Sequence, residues 1–108
     1  MECWNWNEIA EEKLNPLVTR KIIHTSGMTI IQLKFKKGAV VPLHNHVHQQ
    51  VTQVASGALR VEVAGEQIML RAGDVLSIPS DAPHLTEALE DTTSVDIFTP
   101  AREDLLSR

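Results

Sequence analysis

The stretch Gly38-Ala-Val-Val-Pro-Leu-His44-Asn-His46-Val-His48-Gln-Gln50 decides the fold and carries much of the chemistry. Positions 44, 46 and 50 share parity, so on a strand their side chains project to one face. His84 follows after the strand-like run Val75 to Ile78 and the turn Ser80-Asp81-Ala82-Pro83. Ring nitrogens of His44, His46 and His84 with the amide oxygen of Gln50 make a donor set for one first-row divalent ion. Taken alone, a His-x-His pair is commonly just a polar face; the surrounding frame gives it weight.

On either side the chain reads as short strands. Ile31, Leu33 and Phe35 alternate with Gln32, Lys34 and Lys36, the period of a half-buried strand. Leu59, Val61 and Val63 alternate with Arg60 and Glu62, then Ala64-Gly65-Glu66 turns the chain into a run through Ile68 and Leu70, a hairpin. Thr93 to Phe98 is a further strand. Gly27, Gly38, Gly57, Gly65 and Gly73 punctuate these runs, and no helical stretch is long enough for βαβ crossovers. The expectation is an all-β sandwich or barrel, with only the first and last dozen residues helical or irregular.

The chain has 108 residues, which predicts one domain with a core that needs no disulfide staple. Cys3 is the only cysteine, so an internal disulfide is excluded, and it is expected to be a partly packed thiol. The net charge of −4 is spread without a basic run, which argues against nucleic acid as a partner. No stretch approaches the ~20 apolar residues of a membrane span. The start, Met1-Glu2-Cys3-Trp4-Asn5, lacks a basic region and an apolar run, so the expected location is cytoplasmic.

The frame resembles the cupins. Gly38, five residues, His44-x-His46, three residues, Gln50, six residues and Gly57 match the first cupin motif, and Gly73, five residues, Pro79 and His84 match the second. The likeness covers about residues 28 to 98. It implies a small single-domain cupin over 1–108, a jelly-roll β-barrel with terminal extensions 1–16 and 99–108. It also implies His44, His46, Gln50 and His84 as ligands of one metal ion, with Ni, Mn, Fe, Zn and Co all compatible. Gln50 stands where most cupins have glutamate, Asp81 where the second motif has glycine, and Ala88 where it often has asparagine. Three imidazoles and an amide leave the ion's dipositive charge nearly intact, which suits Lewis-acid work on an anionic substrate. His48 has the ligand parity but no ligand role in the family frame, and reads as a rim histidine or a donor behind the ligands. His24 reads as an ordinary strand residue, and Gln49 and Gln53 as solvated.

The end of the chain narrows the likeness. Glu87-Ala-Leu-Glu-Asp91 and Asp96-Ile-Phe98-Thr-Pro100-Ala-Arg102-Glu-Asp104 resemble the pectin-degradation cupins, which convert cyclic 4,5-unsaturated uronate monosaccharides to linear 5-keto-4-deoxyuronate. Ala101 replaces a usual second proline of that tail, and Thr52-Gln53 a usual small-aromatic pair. The resemblance puts Asp96, Phe98 and Arg102 in the active site. Asp96 and Phe98 have the same parity, so both can face the cavity. A carboxylate inside an apolar barrel is costly without a partner. Arg102 can make a bidentate pair with a uronate carboxylate; alternatively, Asp96 and Arg102 form a structural ion pair. A small anionic sugar acid is the implied ligand and a homodimer the implied assembly, with the Trp4/Trp6 segment a candidate for the subunit contact. Two other functions stay open at this point. One is an iron-dependent cupin dioxygenase, the other a non-catalytic cupin that binds a metal or a sugar acid.

Overall fold

The computed structural model describes residues 1–106, so the last two residues of the 99–108 extension lie outside it. Ten strands follow one another: β1 (Glu12–Asn15), β2 (Val18–His24), β3 (Thr29–Phe35), β4 (Val40–His44), β5 (Gln49–Ser56), β6 (Ala58–Val63), β7 (Glu66–Arg71), β8 (Val75–Ile78), β9 (His84–Ala88) and β10 (Thr92–Thr99). They form two antiparallel sheets, β1-β2-β3-β10-β5-β8 and β4-β9-β6-β7. One-turn 3-10 helices cover Trp6–Glu8 and Glu103–Leu105. The architecture is the all-β arrangement that the alternation implies.

The expected hairpin is present, with Leu59 opposite Leu70 and Val61 opposite Ile68. Ala64 and Gly65 both have positive φ, at 48° and 86°, which matches the right-handed strand twist across a tight turn. Gly57, at φ +92°, is fixed by a close approach as well: a Cβ there would run into Thr92 Oγ1 and the Asp91 carbonyl. Two strands begin before residue 28, where the sequence set the edge of the barrel. β2 pairs with β3 along its whole length, and β1 covers its other edge. β1 lies inside the segment read as an extension. The run Val18-Thr-Arg-Lys-Ile-Ile-His24 hides its alternation because Arg20 sits on the inward face.

The inner face of the larger sheet is built in rows. Arg20, Leu33, Ser94 and Val54 form one; Ile22, Ile31, Asp96, Thr52 and Leu76 the next; Thr29, Phe98, Gln50 and Ile78 a third. From the first row downward lies an apolar cluster that includes Val18, Phe35, Val54, Leu59, Val61 and Leu70. Above it the space between the sheets stays open, apart from the contact of Ile31, Phe98 and Leu105. Cys3 is exposed rather than partly packed, because the first residues lie outside both sheets. Among the described residues, no helix is long and apolar enough to cross a membrane.

Candidate metal centre and cavity

β4 and β9 bring two histidines side by side, their rings tilted by 57°. His44 is the register partner of His84 across an irregularity between Val41 and His44, and their ring centroids are 4.3 Å apart. His46 is not on a strand with them: β4 stops at His44, β5 starts at Gln49, and residues 45–48 bend between. The shared parity of 44, 46 and 50 is therefore not what gathers these side chains. The bend does so, held by Asp81 N–H donating to the His46 carbonyl (2.8 Å) and Ser80 Oγ donating to the Val47 carbonyl (2.5 Å). Asp81 adopts φ +65°, the left-handed conformation that explains the glycine usual at this motif position.

The ligand atoms of His44, His46 and His84 lie within 4.8 Å of one another, a triad that could bind a metal ion. Each ring is anchored through Nδ1 to a carbonyl two residues away: His44 on Pro42 (2.9 Å), His84 on Ala82 (2.9 Å) and His46 on His48 (3.0 Å). With Nδ1 as donor, Nε2 carries the free lone pair in all three. His84 Nε2 is buried without a hydrogen-bond partner. Gln50 Nε2 donates to Thr52 Oγ1 (2.9 Å), and Thr52 in turn donates to Asp96 Oδ1 (2.7 Å). This chain turns the Gln50 amide oxygen toward His46 Nε2, 3.2 Å away. Two lone pairs at that distance repel unless a cation lies between them. With bonds of about 2.1 Å, adjacent donors around one ion stand roughly 3.0–3.4 Å apart, so the pair fits a coordination edge. Burial lowers the pKa of both His46 and His84, with the Arg102 charge also acting on His46, which keeps these rings neutral and able to donate. The four residues fit a divalent ion.

Asp96 and Phe98 both point inward, as their parity predicts, at 7% and 4% exposure. Burial raises the Asp96 carboxyl to about 6, against the hydrogen bonds from Thr52 and Gln50 and the charge of Arg102. Phe98 lies edge-on to His46 at 5.6 Å, and the Arg102 guanidinium sits 4.9 Å from its ring centre. Arg102 is paired with Asp104 rather than with Asp96. Its Nε and Nη2 donate to the two Asp104 oxygens at 3.0 and 2.8 Å, and its backbone N–H donates to Thr29 Oγ1 at 2.7 Å. The fork holds the Asp104 carboxyl down at about 2.

Most of these side chains border one cavity of about 210 Å³ between the sheets, lined by His44, Gln50, His84, Asp96, Phe98 and Arg102 among others. His46 holds the edge of the site and is not among the lining residues. The ring of His48 lies 5.5 Å from that of His46, and its carbonyl anchors it. Gln49 and Gln53 are exposed, and His24 meets Thr29 Oγ1 at 2.9 Å. Sequence reasoning missed Arg20, Thr29, Ser94 and Asp104. Inward parity with Val18 and Ile22 could have found Arg20, and inward parity with Asp96 could have found Ser94.

The cupin domain profile matches residues 32–99. The chain is a cupin. Over 103 residues this cupin is 33% identical to the pectin degradation protein KdgF of Dickeya dadantii (strain 3937), covering 93% of this chain and 94% of that one. It superposes on the structure of KdgF from a Halomonas species with a TM-score of 0.87 at 37% identity, covering 93% and 94% of the two chains. An RmlC-like cupin from Shewanella frigidimarina NCIMB 400 superposes with the same TM-score at 29% identity, covering 93% of this cupin and 91% of its own chain.

Proposed function

We propose that this cupin is a metal-dependent enzyme that opens cyclic 4,5-unsaturated uronate monosaccharides to the linear 5-keto-4-deoxyuronate. The observation that carries the reading is Asp96: a carboxyl raised to about 6 and buried in the cavity, tied through Thr52 to the amide whose oxygen faces the histidines. The likeness to proteins of pectin degradation supports the substrate class.

The net change moves one proton. The C1 hydroxyl of the hemiacetal loses it, the bond from C1 to the ring oxygen breaks, and C4 gains it. The enol ether becomes an aldehyde and a ketone with no change in composition. Asp96 is the group that takes and returns the proton, since a carboxyl near 6 serves in both directions close to neutral pH. Arg102 orients the substrate carboxylate. Asp104 holds the Nε and Nη2 edge of the guanidinium, which directs the Nη1 side to the ligand. Phe98 offers an apolar wall to the sugar and keeps Arg102 and His46 in place. His44, His46, Gln50 and His84 would hold one divalent ion, which when bound supplies Lewis-acid polarisation of substrate oxygens.

The test is to add unsaturated galacturonate to metal-loaded protein and follow its enol-ether absorbance. Loss of absorbance at catalytic protein concentration, abolished by a chelator and restored by metal, is the expected result. Saturable binding without turnover would instead make this a sugar-acid binder, and oxygen consumption by ferrous protein would make it a dioxygenase.

A further inference from the structure

We infer that Ser94 and Arg20 form a polar subsite at the closed end of the cavity, one that takes the ring hydroxyls of a sugar acid and so selects a polyhydroxylated acid over a bare one. The inference rests on the proposed reaction only for the direction of the ligand. With the carboxylate on Arg102 beside Phe98 and the reacting atoms at Asp96, the rest of the ring points along β10 toward Ser94.

Ser94 is 1% exposed, borders the cavity, and its Oγ has no hydrogen-bond partner. A buried hydroxyl left without a partner is uncommon and costly, so a polar residue at this position calls for an explanation. Its row neighbours Leu33 and Val54 are apolar, and alanine would fill the same place without loss. Arg20 stands in the same row, on the far side of Leu33, and borders the same cavity at 9% exposure. Its Nε and Nη2 are forked onto Glu12 at 3.2 and 3.0 Å, the same edge that Arg102 gives to Asp104. That leaves the Nη1 side of the guanidinium for a ligand oxygen. A charge taken into the space between two sheets is weak support for stability, because an apolar residue of similar volume often packs at least as well. The two groups flank Leu33 about 10 Å apart at the backbone, two strand spacings, and the long arginine side chain narrows that gap.

The experiment uses metal-loaded protein and two probes measured by calorimetry: D-galacturonate and tetrahydropyran-2-carboxylate, which keeps the ring and the acid but lacks the hydroxyls. The wild type should prefer galacturonate. Ser94→Ala should shrink that preference by about 3–10-fold and Arg20→Lys by about tenfold or more, with the affinity for the bare ring acid unchanged. Leu70→Ala, in the apolar cluster and not lining the cavity, serves as the structural control: it should lower the melting temperature while keeping the preference. Variants that retain the wild-type preference would overturn the subsite, as would a wild type that binds the probes equally or binds neither. Absence of turnover on unsaturated uronate with the preference intact would remove the proposed reaction and leave the subsite standing.

Discussion

The two ends of the space between the sheets are made by the same strands and filled in opposite ways. Toward Val18, Phe35, Val61 and Leu70 the inward side chains are apolar and closed. Toward Gln50 the same strands turn Ser94, Asp96, Thr52 and Gln50 inward, and the space stays open. β5 shows the change along one strand, since its inward positions run Gln50, Thr52 and Val54. The lesson is a division of labour within each strand. One end supplies the burial that makes the fold stable, so the other can keep polar groups that a packed core would reject.

The sharpest way to break this comparison is Asp96→Asn. If the polar end is for chemistry, turnover falls by roughly 10²–10⁴-fold while metal content, read by elemental analysis, stays at the wild-type value. A variant that melts early yet turns over normally would return Asp96 to a structural role. At the other end, Leu70→Ala should cost about 2–5 kcal/mol in denaturant unfolding and leave turnover per folded molecule unchanged. Gln50→Glu probes the border between protein and ion. An anionic oxygen should tighten the metal and reduce turnover of an anionic substrate, by less than Asp96→Asn does. Equal or higher turnover would show that the charge of the centre is not what the reaction uses.

A smaller effect belongs to the pair of Arg102 and Asp104. The Asp104 carboxyl is held at about 2 in the fold, against 3.8 ordinarily. The pair therefore contributes stability above the ordinary value and loses it as pH falls toward 2. Asp104 is half exposed, so the contribution is modest. Asp104→Asn should flatten the acid limb of a stability-against-pH curve and raise KM more than it lowers kcat. The smallest change is Ala64→Asn, which places a residue tolerant of positive φ in the hairpin turn. It should raise stability by about 0.5–1 kcal/mol and touch nothing in the cavity.

Sequence alone carried the hairpin, the inward face of β10 and the gathering of His44, His46, Gln50 and His84, since alternation and motif spacing survive without a structure. It did not carry β2, because an inward arginine breaks the apolar pattern that marks a strand face. It gave a wrong reason for the histidines as well: parity applies along a strand, and the chain bends at 45–48. Asp104 was invisible because nothing in its spacing reveals that Arg102 folds back onto it rather than onto Asp96.

The anchoring of each imidazole to a carbonyl two residues away has a consequence for protein engineering. The aim of the three rings is written mainly into residues 42–48 and 82–84, with Phe98 adding an edge contact to His46. Those segments, moved together with the 79–82 turn that ties them, form a portable cassette. Grafted onto another two-sheet scaffold that offers the same strand pair and the bend-to-turn bonds, they should carry their donor orientation with them.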